Sequence, residues 1–350
     1  MGVVRLPGVI AIFDGHNDTI TCADATDFAT GRAGGHLDLA RARAGGLAGG
    51  IFAIFSGTPG YDPDFDQAQD GAAYRLAVAE PIGQDVAAPH ATRSAGRLLA
   101  LERAGHVRLA RCAADLDDAL RDGVLAAVMH LEGAEAIDAG LDALELWHAA
   151  GLRSLGPVWS RPNVFAHGVP FAFPASPDTG PGLTAAGAAL VRRCAQLGIA
   201  VDVSHLNEAG FWDIARLDVT PLIASHSGVH ALCASTRNLT DAQIDAIGAS
   251  GGLIGIAFAV AFLREDGRDD ADTPLATLVA HARHVAERIG VEHVALGSDF
   301  DGATVPAQLG DAAGLPRLLD ALRDGGFGDA DLRAIAWDNW RRVLGRAWGG

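Results

Sequence analysis

The sequence of 350 residues contains no lysine, so all 27 of its basic Lys or Arg positions are arginines. Schiff-base catalysis, pyridoxal phosphate attachment and a P-loop lysine all need a lysine amine, and these chemistries are excluded. A carbamylated lysine cannot bridge two metal ions either. Any side chain that bridges two metals in this chain is therefore expected to be Asp or Glu.

Cysteines are also few, and no long apolar run is present. The four cysteines are scattered, with no CxxC pair and no dense framework, which predicts reduced thiols in a cytoplasmic protein. They are Cys22, Cys112, Cys194 and Cys233. No apolar run reaches the 18 or so residues of a membrane span. The opening MGVVRLPGVIAIF leads at once into the polar DGHND, so no cleaved signal is expected.

Positive charge is scarce as well, and the formal net charge is −16. Nucleic acid binding depends on clustered cations, so a nucleic acid partner is not expected. Hydrophobic residues make up 49% of the chain against 20% charged, which is typical of a compact globular protein. We expect neither a membrane nor a polyanion as partner, but a small-molecule substrate.

Eight short apolar runs recur along the chain, each bounded by Gly, Asp or Pro and separated by segments of helical period. They are Val9 to Phe13, Ile51 to Phe55, Val124 to Met129, Leu152 to Val158, Ile199 to Val203, Pro221 to Ala224, Leu253 to Ala257 and His293 to Leu296. Alternating strands and helices form parallel sheets, and eight repeats favour a closed barrel. No GxGxxG follows the first run to support a Rossmann fold. The sequence predicts an α/β fold, a (β/α)8 TIM-type barrel with inserted loops and helices, as one domain over residues 1–350.

The sequence also predicts helix ends and two irregular insertions. Thr184 is predicted to cap one helix that Gly198 ends, and Thr273 to cap another. Residues 57–91 exceed a simple connection, and residues 163–182 mix prolines, phenylalanines and glycines too irregularly for a helix. A long loop after the fourth strand is expected to overhang the active end of a barrel.

Polar side chains that bind metals stand at the ends of several of these runs. His16 and Asp18 follow the first run, and residues two apart in a strand share a face. An HxD triplet alone is common by chance. The pattern recurs, however, because Glu132, His205 and His226 each end another apolar run. Imidazole and carboxylate are zinc ligands, and the joint pattern predicts a metal site at one end of the barrel.

An aspartate follows the eighth run in the segment GSDFDG. A carboxylate beside an activated water can take its proton and pass it to a leaving amine. Asp299 is nearer the strand than Asp301, whose Asp-Gly pair is also frequent in turns, so Asp299 is predicted as the catalytic group. His130 shares a strand face with Glu132, but we interpret it as a supporting or core residue.

Five segments together resemble the membrane dipeptidase (renal dipeptidase) family of the amidohydrolase superfamily. They read, in order, DGHND, HLEG, DVSHLNE, ASHSG and GSDFDG. The resemblance extends from Asp14 to Asn339 in the terminal WDNW segment, over nearly the whole chain. It implies a β/α barrel that holds two divalent cations, zinc in this family.

The resemblance also implies how the ligands divide between the two ions. His16 and Asp18 would bind one ion and His205 and His226 the other, with Glu132 as the bridge. A side-chain carboxylate as the bridge agrees with the absence of lysine.

Two further residues are implied as substrate contacts. The segment CASTRN resembles the one in which the family places an arginine facing the substrate carboxylate, so Arg237 is expected to be that anchor. Its structural alternative is a loop arginine paired with a nearby acid. Where animal members have a histidine after the fourth strand, this chain has Trp159. An indole cannot act as an imidazole, so we expect hydrolysis with an altered substrate range.

These observations predict a metallo-dipeptidase that hydrolyses short dipeptides by a binuclear-metal-activated water. Two alternatives remain open at this point. The first is an amidohydrolase for another small amide, such as an N-acyl amino acid, a β-lactam or a cyclic imide. The second is a catalytically silent barrel. A homodimer is expected only by analogy with the family.

Overall fold

The structure is a computed structural model that describes residues 10–63, 65 and 73–349. Nine of its strands pair in parallel. The strands in chain order are β1 (Ile12–Asn17), β2 (Leu47–Phe55), β3 (Tyr74–Arg75), β4 (Val107–Leu109), β5 (Leu125–Glu132), β6 (Leu152–Gly156), β7 (Ala172–Phe173), β8 (Ala200–Val201), β9 (Ile223–Ser227), β10 (Leu253–Ile256) and β11 (Val294–Leu296). β3 and β7 form a separate antiparallel pair.

The parallel strands form two sheets that curl around one interior. The first has the order β1-β2-β5-β6-β8, with β4 paired to β5, and the second has the order β11-β10-β9. Single parallel bridges connect the two sheets, between Asp202 and Ile223 on one side and between Asn17 and Phe300 on the other. The fold is therefore α/β, with a curled parallel sheet.

Helices follow the strands and cover the outside of the sheet. Within the described residues they are α1 (Leu39–Ala44), α2 (Gln84–Arg103), α3 (Ala113–Asp122), α4 (Asp142–Ala150), α5 (Ala185–Leu197), α6 (Glu208–Arg216), α7 (Asp241–Ala249), α8 (Leu275–Ile289), α9 (Leu315–Asp324), α10 (Asp329–Arg333) and α11 (Asn339–Ala347), with a π-helical turn at Ala334–Asp338. None of these helices combines the length and apolar character that crossing a bilayer requires.

One predicted helix cap is confirmed and the other is wrong. The Thr184 hydroxyl accepts a hydrogen bond from the Gly187 amide at 3.1 Å, and Gly198 ends α5 in the left-handed conformation with φ +66°. Thr273 does not cap α8, because its hydroxyl donates instead to the carbonyl of Asp270 at 2.6 Å. Pro274 precedes the helix, without a side-chain cap.

Each of the eight apolar runs coincides with a strand, although the ends differ. β9 begins at Ile223 and continues through Ser227, so it carries His226 within the strand. β2 begins at Leu47, four residues before Ile51. Two glycines in this stretch interrupt the apolar run, so the sequence did not predict the earlier start. β4 and the β3/β7 pair were not predicted, because two or three residues are too few to show a period. Of the first run, Val9 lies outside the described residues.

The segment after the last strand closes one end of the interior. Trp340 is fully buried, and its indole donates to the carbonyl of Leu296 at 2.9 Å. The Phe13 ring lies 5.7 Å from the ring centres of both Trp337 and Trp340. Asn339 donates to the carbonyl of Val294 at 2.8 Å. The terminal helix is thereby fixed beneath β1 and β11, opposite the ends that carry the predicted ligands.

Backbones approach closely where β9, β10 and β11 meet. A Cβ placed on Gly297 would lie 1.9 Å from the carbonyl oxygen of Ser225, and one on Gly255 would lie 2.0 Å from the same atom. Real Cβ atoms cannot approach a carbonyl so closely, so both positions require glycine. The three strands are held against one another at this point.

Gly297→Ala is expected to lower the free energy of unfolding by about 3 kcal/mol, because the added methyl must push β9 away. Gly96→Ala is the matched control, since Gly96 is exposed within α2 and its Cβ would meet nothing within 4 Å. The control should raise stability by about 0.5–1 kcal/mol. Urea unfolding of both variants measures the difference, and an unchanged Gly297→Ala midpoint would contradict the close approach.

Candidate active site

All five predicted ligand side chains lie together at the carboxyl ends of the strands. The Glu132 Oε1 atom is 3.5 Å from His16 Nε2, 3.1 Å from His205 Nε2 and 3.6 Å from His226 Nε2. The Asp18 Oδ2 atom is 3.7 Å from His16 Nε2. All five side chains are buried. Four different strand ends thus bring imidazoles and carboxylates to one place.

The ligand atoms fall into groups that could each hold a cation. One group is His16, Asp18 and Glu132, and another is Glu132, His205 and His226, each with its ligand atoms within 4.8 Å of one another. Glu132 belongs to both groups. A third combination uses Asp202, whose Oδ1 already accepts backbone hydrogen bonds of 2.9 Å from Ser204 and Ser225.

The donor set fits divalent cations better than it fits an interior with no ion. His16 Nε2 and Asp18 Oδ1 are buried and have no hydrogen-bond partner among the described residues. Burial and the nearby Glu132 raise the pKa of Asp18 to about 7, which shows how costly adjacent buried carboxylates are without positive charge. Imidazole nitrogen and carboxylate oxygen are the ligands that zinc binds.

The histidines differ in charge according to their neighbours. Burial lowers the pKa of His205 to about 4 and that of His226 well below its usual range, so both are neutral and available as ligands. Burial also works against protonation of His16, but the charges of Glu132 and Asp18 raise its pKa well above the usual value.

Two serines lie against the imidazoles of two predicted ligands. Ser225 Oγ donates to the Asp202 carboxylate and lies 2.8 Å from His226 Nδ1. Because the hydroxyl has one proton, His226 Nδ1 must donate to it, which leaves the Nε2 lone pair directed at the site. Ser160 Oγ lies 2.8 Å from His205 Nδ1. Ser160 carried no signal in the sequence, whereas Ser225 adjoins its histidine.

Asp14 in the DGHND segment supports the site without joining it. Its carboxylate accepts hydrogen bonds from the Ser298 amide at 2.7 Å and the Ser298 hydroxyl at 2.8 Å. Burial raises the pKa of Asp14 to about 6, against these hydrogen bonds. The interaction ties β1 to the residue that directly precedes Asp299.

Asp299 lies beside the ligand group in a conformation that is unusual for a residue with a side chain. It is buried, its φ is +60°, and its amide donates to the carbonyl of His16 at 3.0 Å. His205 and Asp301 also have positive φ, at +65° and +68°. Such strain is retained where the surroundings impose it, often at functional sites. Burial raises the pKa of Asp299.

Asp301 has more partners than a simple turn residue needs. Its carboxylate accepts hydrogen bonds from the Thr19 hydroxyl at 2.6 Å and the His36 amide at 2.7 Å, and it also pairs with the Arg32 guanidinium. No motif in the sequence indicates this network, since Arg32 is remote from Asp301 along the chain. It fixes the loop that carries Asp299.

Arg237 is buried near the predicted ligands His205 and His226. One of its Nη atoms donates to the carbonyl of His226 at 3.2 Å, and its Nε has no hydrogen-bond partner in the described part of the chain. Its guanidinium carbon is 5.5 Å from the centre of the Phe262 ring. Burial lowers the pKa of Arg237. A buried guanidinium with a free donor is suited to bind an anion.

A cavity of about 1360 Å³ opens over the ligand group. Asp18, Glu132, His205 and Asp299 lie at its floor, and Trp159 lies on its wall. The Trp159 ring is half-buried and its centre is 5.9 Å from that of His205. Three of the five predicted ligands, the predicted catalytic aspartate and Trp159 therefore face a common space.

Comparison with known proteins agrees with this architecture. A crystal structure of a metallo peptidase from Rhodobacter sphaeroides, liganded with a phosphinate mimic of the dipeptide L-Ala-D-Ala, is 48% identical and has a TM-score of 0.94, covering 97% of this chain and 99% of that one. An uncharacterized protein of the pqqA 5′ region of Klebsiella pneumoniae is 51% identical over 245 residues, which are 70% of this chain and 90% of that protein. The dipeptidase tcpJ of Claviceps purpurea is 28% identical over 97% of this chain and 78% of its own length.

The family model described as membrane dipeptidase (peptidase family M19) matches residues 3–348. The match covers nearly the whole chain, and it agrees with the resemblance of the five segments. The chain therefore belongs to the membrane dipeptidase family and is a peptide-bond hydrolase.

Proposed function

We propose that this protein is a dipeptidase that uses two zinc ions to hydrolyse the amide bond of short dipeptides. The observation that carries the proposal is the position of Glu132, which belongs to both buried ligand groups. The dipeptide mimic bound to the metallo peptidase of Rhodobacter sphaeroides supports the class of substrate.

We also propose that the chain is one domain and that its sheet is a closed barrel of the TIM type. The eight strands would be β1, β2, β5, β6, β8, β9, β10 and β11, with β4 added outside. The two bridges between the sheets support closure. A single core cluster extends from Ile12 to Ala336, which supports one domain. A homodimer and a cytoplasmic location stay predictions.

Each of the site residues has a separate role in the proposed hydrolysis. His16, Asp18 and Glu132 would hold one ion, and Glu132, His205 and His226 the other. When bound, such ions activate water and polarise an amide carbonyl. Asp299 would accept the proton of the attacking water and deliver it to the leaving amine. Arg237 would bind the substrate carboxylate through its free donor.

Trp159 occupies the position at which animal members have a histidine. Its indole NH can donate a hydrogen bond, but it cannot carry a proton between groups at neutral pH. Proton transfer therefore depends on Asp299 in this chain, and Trp159 contributes an apolar face to the cavity.

Glu132→Gln tests the metal centre. The wild-type protein is expected to bind two equivalents of zinc, and the variant should lose most of the bound zinc, because a neutral amide is a poor bridging ligand. Elemental analysis after dialysis measures the content. Glu80→Gln, at an exposed position, is the matched control and should keep both equivalents. A wild-type protein without stoichiometric metal would instead favour a silent barrel.

Asp299→Asn tests the proton carrier. The variant should lower kcat by about 10²–10⁴-fold with its zinc content unchanged. Because burial raises the pKa of Asp299, wild-type kcat should fall as the pH drops through that pKa and the carboxylate becomes protonated. The residual activity of the variant should lack this acidic limb. Asp320→Asn on the protein surface serves as the control, and an unchanged kcat in Asp299→Asn would assign the proton transfer to another group.

Arg237→Met tests the substrate anchor. Wild-type protein should cleave a free dipeptide at least about tenfold better in kcat/KM than its C-terminal amide, since hydrogen bonds to charged groups contribute about 1.5–3 kcal/mol. The variant should lose this preference by reacting more slowly with the free acid, while the amide reacts at a similar rate. Equal cleavage of acid and amide by the wild-type protein would refute the anchor.

A further inference from the structure

One side of the cavity is formed by aromatic rings. We name Phe55, Tyr61, Phe65, Trp159, Phe171 and Phe262 the aromatic wall. Neighbouring rings are in contact, with centres 4.9 Å apart for Phe55 and Trp159, and 5.5 Å apart for Trp159 and Phe171. Four of the six are only half-buried, so their faces are open to the cavity.

The aromatic wall extends between two parts of the site that have different tasks. At one end, the ring centres of Trp159 and Phe171 are 5.9 and 6.4 Å from that of the ligand His205. Phe171 stacks on Phe262 with centres 5.9 Å apart and planes at 8°. At the other end, Phe262 lies against the guanidinium of Arg237. The wall thus connects the metal ligands to the expected carboxylate anchor.

This geometry determines which part of a dipeptide faces the wall. The scissile amide must lie at the metal ligands, and the C-terminal carboxylate at Arg237. Only the C-terminal residue connects these two groups, so its side chain is the one that projects along the path between His205 and Arg237. We propose that the aromatic wall is a binding site for a large apolar or aromatic side chain of the C-terminal residue. This inference rests on the proposed function.

The polar side of the cavity lining is unsuited to such a side chain. It presents the charged and polar groups of Asp24, Arg32, His36 and Asp301. An apolar side chain there would remove these charged and polar groups from water without contributing a polar contact of its own. The N-terminal residue of the substrate, with its ammonium group, is better matched to this side.

The wall is held in place by a buried ion pair behind it. Arg161 is fully buried, donates to Glu135 Oε1 at 2.9 Å and to the carbonyl of Ser56 at 2.7 Å. Its guanidinium carbon lies 5.5 Å from the Phe55 ring and 5.7 Å from the Trp159 ring. These contacts fix both rings before a substrate arrives, and a preorganised surface binds with less loss of entropy.

Two dipeptide series measured on the zinc-loaded wild-type protein test the inference. In the first, Ala-X, the C-terminal residue X is Gly, Ala, Leu or Phe, in L and D forms where these exist. In the second, X-Ala, the N-terminal residue varies in the same way. For the stereoisomer that reacts faster, kcat/KM should rise at least about tenfold from Ala-Gly to Ala-Phe. The X-Ala series should vary by only a few-fold.

Variants locate the effect on the wall. Trp159→Ala and Phe171→Ala should each reduce the ratio of kcat/KM for Ala-Phe over Ala-Gly by about tenfold, with both zinc ions retained. Trp212→Ala is the matched control, since it removes the same ring from α6, outside the cavity, and should keep the ratio. An unchanged ratio in both wall variants would overturn the assignment.

The wild-type series also separate the two proposals. If no dipeptide of either series is cleaved while zinc is bound, the proposed function fails. A second outcome is that dipeptides are cleaved with a kcat/KM that does not depend on the C-terminal side chain, or that depends on the N-terminal one. The aromatic wall is then not the binding site of the C-terminal side chain, and the dipeptidase proposal stands.

Discussion

The concentration of buried charge around Glu132 is the constraint on which the rest of the structure depends. One carboxylate oxygen lies within 3.6 Å of nitrogen atoms from three imidazoles, and Asp18 and Asp299 add further acid nearby. Carboxylates cannot be buried together without positive charge to balance them. The strand ends, the serine partners of the histidines and the arginines around the cavity all serve to hold this arrangement.

The arrangement of buried charged groups requires local backbone conformations that the chain would not adopt by itself. His205, Asp299 and Asp301 have positive φ, and each conformation is stabilised by contacts from distant parts of the chain. Asp14 binds Ser298 next to Asp299, and Arg32 pairs with Asp301. Close contacts between backbones at Gly297 and Gly255 keep β9 to β11 together beneath the site. Strain at the site is thus sustained by packing below it.

The sequence predicted the strands that position the site, because each is a short apolar run followed by a polar ligand type at the same end. It also predicted that His16, Glu132 and His226 would converge, although their roles as ligands stay predictions. It could not predict β4 or the partners Ser160 and Arg32. Those depend on contacts between residues far apart in sequence, for which no local period or motif exists.

In the proposed function, Trp159 would connect the chemistry of the site with its selectivity. A histidine at this position could hold a proton beside the scissile bond, whereas an indole cannot titrate there. The loss of that group leaves Asp299 as the acid or base of the proposed mechanism. The same ring adds apolar area next to His205 and is fixed from behind by Arg161. In the proposed mechanism, an indole in place of an imidazole therefore removes a titrating group, keeps an NH donor and adds an apolar surface that would distinguish substrates by their C-terminal side chain.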